Sequence, residues 1–156
     1  MPFLTHCRRS IGISFIILFS MALSSQSFAF SSKQTELPFR SLYFFAPKYD
    51  QMVENFLVNS LKHSCHLQER EIEILVITQD GFTVPYWIKD EYNVKALFDA
   101  YGANKDHYTT ILIDKNGYEK LRLDDQETNW QQISQTIDSN PVRQRKIRNG
   151  YSPCEM

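Results

Sequence analysis

The sequence is poor in cysteine and has almost no net charge. Its 156 residues include three Cys, and 17 Lys and Arg against 18 Asp and Glu leave a charge of −1. Three thiols are too few for a disulfide-dense scaffold or a four-thiolate zinc site. Proteins that bind nucleic-acid phosphates usually carry a basic excess, so nucleic acid is not expected as a partner. The remaining composition is that of an ordinary globular chain long enough for one domain.

The sequence also lacks an apolar run long enough for a transmembrane helix, which needs roughly 20 apolar residues. The apolar run over 11–23 is shorter, follows two arginines and precedes the small-residue site at 27–29. This pattern is typical of a secretory signal, with an uncleaved anchor as the alternative. We therefore predict a signal peptide over 1–29 with cleavage near Ala29, a flexible leader over 30–39, and a secreted or periplasmic protein with no stable membrane span after cleavage.

Four short segments rich in apolar or β-branched residues predict strands, at residues 41–46, 72–78, 109–114 and 118–123. The first two are continuous apolar runs joined through a helical pattern, so they are expected to be parallel and buried on both faces. The last two flank Asn116-Gly117, a strong hairpin signal, and are expected to be antiparallel.

Apolar residues at intervals of three and four predict two helices between these strands. The first covers residues 51–66 with Asp50 as its N-cap. The second is capped by Asp90 and ends at Gly102, where a left-handed residue is expected. The segment 79–89 between them is predicted to be a loop.

A last helix is predicted from a capping box of Thr128 and Gln131, and Pro141 is expected to end it. The element order is then β-α-β-α-β-β-α. A four-stranded mixed sheet flanked by helices in this order matches the thioredoxin-like α/β architecture. We predict one such domain over residues 40–149, followed by a C-terminal tail over 150–156.

Two stretches, YGANKDHYTTILIDKNGYEKLR and IDSNPVRQRKIR, resemble the bacterial domain-of-unknown-function family 4174. Phe45-Ala46-Pro47 and Glu69-Arg70-Glu71 are similar to the family as well. The resemblance covers about residues 40–149. It implies a thioredoxin-like fold and a secreted location but no reaction, because the family has no established activity. The matching hairpin and C-terminal residues are Gly117, Lys120, Leu121, Arg122, Pro141, Arg143, Arg145 and Arg148.

Redox chemistry in a thioredoxin needs a Cys-x-x-Cys at the N-terminus of the first helix, where the thiol pKa is lowered. The corresponding residues 47–51 contain no Cys, and no Pro stands near residues 107–109, where thioredoxins have a cis-proline. The Thr and Cys of a peroxiredoxin are missing too. No Ser-His-Asp order, glycine-rich phosphate loop or paired-carboxylate motif is present. Disulfide exchange at the usual site is therefore not expected.

Two cysteines, Cys65 and Cys154, remain after the predicted cleavage. A disulfide between them would close a long loop, and the entropic model values such a closure at about 4 kcal/mol. The alternatives are a semi-buried structural thiol at Cys65 and an intermolecular bridge through Cys154. His63 and His66 lie beside Cys65 but lack a nearby third ligand, so we predict exposed histidines, no metal and no cofactor.

A basic run at residues 143–148, together with Lys120 and Arg122, is the candidate binding surface. Such a run fits an anionic envelope component or an acidic protein. The alternatives are a solvated helix end and internal pairing with Asp124, Asp125 or Glu127. The sequence favours a non-catalytic binding module. The alternative is an atypical thiol-dependent oxidoreductase that uses Cys65 and Cys154. The candidate binding residues are Lys120, Arg122, Arg143, Arg145 and Arg148.

Overall fold

A computed structural model describes residues 36–124, residues 127–150 and Cys154. The predicted signal peptide and residues 30–35 of the predicted leader lie outside this described part, as does most of the predicted tail. The boundaries assigned to these segments therefore stay predictions. Within the described part of the chain, no helix has the length and apolar character needed to cross a membrane.

The described residues form a mixed α/β fold of five strands and six helices. The strands are β1 (Arg40–Ala46), β2 (Ile72–Thr78), β3 (Thr83–Val84), β4 (Thr109–Ile113) and β5 (Glu119–Asp124). The helices are α1 (Gln51–Lys62), α2 (Ser64–Glu69), α3 (Ile88–Glu91), α4 (Val94–Tyr101), α5 (Trp130–Asp138) and α6 (Pro141–Arg148).

The strands form one sheet in the order β3-β2-β1-β4-β5. Strands β1 and β2 are parallel, with Arg40 opposite Ile72, and β4 runs antiparallel to β1 and to β5. The predicted parallel pair and hairpin are confirmed. The predicted number of four strands is wrong, because β3 adds a fifth strand antiparallel to β2 within the segment expected to be a loop. A strand of two residues is too short to show an alternating pattern.

The sheet is covered on both faces because successive strand residues point to opposite sides. One face carries Leu42 and Phe44, which pack with Phe56 of α1 and Ile133 of α5. The rings of Phe44 and Phe56 stack at 4.2 Å between centroids. The other face carries Phe45, which packs with Ile77 and Ile111 from neighbouring strands and Phe98 from α4. Burial on both faces explains why these strands read as continuous apolar runs.

The predicted first helix is broken at His63 into α1 and α2. Asp50 caps α1 as predicted, through bonds from the N–H groups of Met52 and Val53. The His63 backbone leaves helical geometry, with φ of −96° and ψ of 11°, and its ring stacks on Trp130. The stacking across to α5 is a tertiary contact that the helical pattern of residues 51–66 does not reveal.

Two predicted caps are displaced along the chain. Asp90 lies inside the short helix α3, and Asn93 caps α4 by accepting a bond from the Ala96 N–H. Asn129 caps α5, while the Thr128 hydroxyl is buried against Thr110 at 2.9 Å. In both cases the asparagine lies nearer the first helical residue than the predicted cap. The predicted left-handed end of the second helix at Gly102 is confirmed by its φ of 59°.

Pro141 begins a helix instead of only ending one. It is the first residue of α6, which follows the N-cap Asn140. Proline is well tolerated there because the first N–H of a helix has no intrahelical acceptor. The basic run, for which a solvated helix end was one alternative, therefore lies on a sixth helix of its own.

Replacing Ile133 with Ala tests how α5 is held to the sheet. Ile133 is fully buried, so Ile133→Ala is expected to lower the free energy of unfolding by about 2–5 kcal/mol through lost burial and a cavity. Gln131→Ala on the exposed face of the same helix is the matched control, expected to change it by less than about 0.5 kcal/mol. Urea unfolding followed by circular dichroism measures both, and equal effects would contradict this packing.

Candidate functional site

The N-terminus of α1 holds a carboxylate where a dithiol protein would carry its thiols. One Asp50 oxygen accepts from the N–H groups of Met52 and Val53, at 3.0 and 3.3 Å. The other accepts from the Tyr108 hydroxyl at 2.5 Å. Tyr108 directly precedes β4, so this bond joins the start of α1 to the start of a central strand.

The pKa of Asp50 is lowered and the pKa of Tyr108 is raised. Burial raises the pKa of Asp50, but the hydrogen bonds from Tyr108, Val53 and Met52 outweigh it, and the pKa lies below its ordinary value. The bond to Asp50 raises the pKa of Tyr108, because it stabilises the protonated hydroxyl. At neutral pH the carboxylate is therefore charged and the phenol is neutral. Neither group is set to exchange protons near pH 7.

Cys65 and Cys154 lie beyond the C-terminal end of α1, away from its capped N-terminus. Cys65 of α2 and Cys154 of the tail are joined by a disulfide, with Cα atoms 5.8 Å apart and a sequence separation of 89. This arrangement agrees with the internal-bridge alternative. Among the described residues no cysteine keeps a free thiol.

The bridge lies beside three groups of metal-ligating type. The ligand atoms of His66, Glu69 and Cys154 all lie within 4.8 Å of one another. In this state the Cys154 sulfur is bonded to Cys65, and the Glu69 carboxylate accepts a bond from Arg143. His63 points elsewhere, with its Nδ1 2.8 Å from the Asn59 carbonyl oxygen. The oxidised chain thus commits two of the three ligand atoms to other partners.

Arg143, one of the predicted binding residues, is a buried ion-pair partner. It is 5% exposed, and its guanidinium contacts the Glu69 carboxylate and, at 3.2 Å, that of Asp138. The Glu69 side chain is only 2% exposed. Burial lowers the pKa of Arg143, but the bonds to Glu69 and Asp138 outweigh it and the pKa lies above its ordinary value. Internal pairing was one of the alternatives for this run, but the partners are not the predicted Asp124 or Glu127.

Arg70 extends these pairs at the end of α2. It donates to Asp138 at 2.5 Å and to the His66 carbonyl at 3.1 Å. Its own carbonyl accepts from Arg40 at 2.8 Å, and Arg40 also pairs with Asp114 at 2.9 Å. Ion pairs thus link α5 and α6 to the start of β1 and to the hairpin.

Glu71, in the turn before β2, takes part in the same group of ion pairs. Its carboxylate is 2.6 Å from the Lys115 ammonium and 3.9 Å from that of Lys146. The hydrogen bond from Lys115 is the largest cause of the lowered pKa of Glu71, and the nearby Lys146 and Arg40 add to it. Its φ of 54° lies in the left-handed region, unusual for a residue with a side chain.

These residues form what we call the charge cluster, which surrounds a cavity of about 220 Å³. The cluster consists of Arg40, Glu69, Arg70, Glu71, Asp114, Lys115, Asp138, Arg143 and Lys146.

The other predicted binding residues do not converge on one site. Lys120 lies near the charge cluster, 3.9 Å from Asp114, with its side chain 45% exposed. Arg122 bonds Glu119 at 2.6 Å and the Tyr101 carbonyl at 2.9 Å, away from α6. Arg145 and Arg148 are exposed on α6. Their role in binding stays a prediction.

Sequence reasoning missed Arg40, Asp114, Lys115 and Asp138 as members of the charge cluster. Each is an ordinary charged residue at the end of an element, and no local pattern pairs it with a distant partner. The one available signal was the resemblance, which marked Glu69-Arg70-Glu71 and Arg143 separately. The structure brings these marked segments together.

Removing Arg143 tests whether the buried pairs hold α6. Arg143→Ala removes the nearest cation from the buried Glu69 carboxylate, which keeps only Arg70 at 3.6 Å, so the free energy of unfolding is expected to fall by up to about 3–5 kcal/mol. Arg145→Ala, on the exposed face of the same helix, is expected to change it by less than about 0.5 kcal/mol. The double variant Arg143→Met with Glu69→Leu removes both charges and is expected to recover most of the loss. Urea denaturation compares the three, and equal values for Arg143→Ala and Arg145→Ala would rule this role out.

Comparison with protein families identifies one match. The model of the domain of unknown function DUF4174 matches residues 33–146, which include β1, both marked charged segments and most of α6. A search of curated proteins finds no match to the chain. The family match covers most of the sequence, so the chain belongs to the DUF4174 family of domains of unknown function.

Proposed function

We propose that this protein is a non-catalytic binding module of the secreted or periplasmic compartment, with a thioredoxin-like fold. The observation that carries the proposal is the hydrogen bond between Asp50 and Tyr108 at the N-terminus of α1. In a thioredoxin-like enzyme this helix end lowers the pKa of a reactive thiol. Here a carboxylate already caps the helix and holds the neighbouring phenol.

The arrangement of the sheet supports the thioredoxin-like part of the proposal. A parallel pair, β1 and β2, is joined through helices, and an antiparallel hairpin of β4 and β5 lies beside β1. This is the predicted β-α-β-α-β-β-α order, with the short strand β3 and the helices α3 and α6 added and the first predicted helix divided into α1 and α2. The covering helices lie on both faces, as that architecture requires.

Two features support the compartment. The N-terminal pattern predicts a secretory signal over residues 1–29. The bridge between Cys65 and Cys154 is of a kind that persists in oxidising compartments and is rare in the cytosol.

The exposed arginines of α6 are the surface we propose for an anionic partner. Arg143 anchors one side of this helix in the protein, so Arg145 and Arg148 face solvent on the other. Within the described residues neither has an ion-pair partner in the structure. Two fixed cations on a short helix favour an acidic protein surface or an anionic envelope component.

The thiol-dependent alternative is tested by assaying insulin reduction and peroxide consumption with residues 30–156. No turnover is expected, because both sulfurs are held in one bridge away from the N-terminus of α1. Cys65→Ser with Cys154→Ser is the matched variant and should give the same background rate. Activity that depends on Cys65 would overturn the binding-module proposal in favour of an oxidoreductase.

The α6 surface is tested on a sulfated polyanion column with a salt gradient. Arg145→Glu with Arg148→Glu should elute at markedly lower salt than the wild type, because the attraction between the exposed cations and the polyanion is lost. Lys89→Glu with Lys95→Glu makes the same charge change on α3 and α4 and controls for net charge. Co-elution of the two double variants would contradict a specific role for α6.

A further inference from the structure

One edge of the sheet is open along the first half of β2. On its inner side, β2 pairs with β1 over all seven of its residues. On its outer side, β3 pairs only with Val76 and Ile77, and the chain then enters α3 at Ile88. Within the described part of the chain, no strand therefore covers the outer edge over residues 72–75.

The backbone groups exposed at this edge belong to Ile72 and Ile74. The Glu71 carbonyl accepts from the Arg40 N–H at 2.7 Å, and the Gln79 N–H donates to the Ala46 carbonyl at 3.1 Å, so both residues face β1. The N–H and C=O groups of successive strand residues point to opposite sides. Those of Ile72 and Ile74 therefore point outward, where an added strand could form hydrogen bonds with them.

An apolar groove of about 670 Å³ lies beside the open edge. Phe39 is 52% exposed and Leu61 is 73% exposed, so two of its large apolar side chains remain in contact with water. Because directly opposite residues of paired strands share one face, side chains opposite Ile72 and Ile74 would lie over this groove. The apolar residues that line it include Phe39, Leu57, Leu61, Leu67, Ile72 and Ile74.

The charge at the edge is negative. Glu73 lies between the two isoleucines, points to the other face of the strand and is exposed. No cation of the described residues pairs with it. The only charged residue among those that line the groove is also an acid, Glu71. This edge therefore favours a cation and not an anion.

Glu73 also bears on whether a second copy of the chain could cover the edge. A two-fold antiparallel pairing that bonds Ile72 of one chain to Ile74 of the other places two Glu73 carboxylates directly opposite each other. Like charges at such positions destabilise a strand pair, whereas opposite charges stabilise it. The edge is thus complementary to a strand with a basic residue at this position and not to itself.

We propose that this edge binds an extended segment of a partner protein in which a lysine or arginine stands between two apolar residues. The segment adds to β2 antiparallel, in line with β3, and bonds the backbone of Ile72 and Ile74. Its apolar side chains lie over the groove, and its cation faces Glu73. Main-chain bonds supply affinity in this mode of recognition, and the alternate side chains supply specificity. The site goes beyond the α6 surface and does not use Arg145 or Arg148.

The backbone bonds are tested by titrating the capped peptide Ser-Thr-Val-Lys-Val-Thr-Ser into isotope-labelled protein and recording NMR spectra. Saturable shifts are expected at the amides of Ile72 and Ile74. Methylation of both valine nitrogens, which face the edge, should weaken binding by about tenfold or more because two hydrogen bonds are lost. Methylation of the lysine nitrogen, which faces away, is the matched control and should change binding by less than about threefold.

The charge pairing is tested by Glu73→Lys, which should not disturb the fold because Glu73 is exposed. This variant should bind the lysine peptide about fivefold more weakly and should prefer the same peptide with glutamate in place of lysine. Glu91→Lys makes the same charge change on α3, outside the groove, and should retain the preference for the lysine peptide.

The groove is tested by Leu61→Ser, which removes apolar surface from its wall without changing the net charge. Binding of the lysine peptide should weaken by about threefold or more. Val58→Ser is the matched control, since Val58 is an exposed apolar residue of the same helix outside the groove, and should leave binding unchanged.

The proposal fails if no saturable binding occurs, if the two kinds of methylated peptide bind alike, or if Glu73→Lys leaves the preference unchanged. Equal loss in Leu61→Ser and Val58→Ser would also overturn it. Sedimentation is expected to show a monomer, and a dimer that the peptide dissociates would instead assign the edge to a second copy. Arg145→Glu with Arg148→Glu should bind the peptide normally, which separates this site from the proposed α6 surface.

Discussion

The buried contact between Arg143 and Glu69 is the interaction on which the C-terminal half of the structure depends. Both side chains are almost completely withdrawn from water, so each charge is costly unless the other is present. Helix α6 is rich in Arg and Lys, and its two apolar side chains besides Pro141 are 55% exposed at Val142 and 39% exposed at Ile147, so it has little apolar surface with which to dock. Asp138 at the end of α5 contacts Arg143 and Arg70 and so joins the two last helices to α2. The position of α6 is thus set by charge pairing and not by hydrophobic burial.

The contact between Arg143 and Glu69 also determines where the other charged residues of α6 lie. With Arg143 fixed, Lys146 one turn later lies beside Glu71 at the start of β2, while Arg145 and Arg148 face solvent. The disulfide between Cys65 and Cys154 attaches the tail to the same short helix that supplies Glu69. A covalent link and an ionic link therefore fasten one C-terminal segment to α2. The ionic link fixes orientation, and the covalent link limits the freedom of the unfolded chain.

Local patterns predicted the parts of the fold that depend on local physics. β1, β2 and the hairpin follow from apolar runs and from Asn116-Gly117, and Asp50 and Gly102 mark helix ends where the structure has them. The predictions of helix caps and helix ends failed where a contact with a residue distant in the sequence determines the local structure. Thr128 is buried against Thr110 and leaves the cap to Asn129. Pro141 starts a helix whose docking depends on the contact between Arg143 and Glu69, which are 74 positions apart in the sequence. A single sequence does not show which distant residues pair. The resemblance to the family therefore marked separate segments of the charge cluster, but it could not show that these segments come together.

The two ends of β1 lie at two different polar sites. Arg40 begins the strand within the charge cluster, and Ala46 ends it near the Asp50 and Tyr108 pair, about 20 Å away at the usual rise per residue. The packing in the charge cluster therefore does not depend on the residues at the N-terminus of α1. The charge cluster is built from α2, α6, the end of α5, the start of β1 and the turn of the hairpin, none of which supplies a group to the N-terminus of α1. The ion pairs and the disulfide at the charged end are thus physically independent of the Asp50 and Tyr108 pair, and they do not require a thiol at the N-terminus of α1.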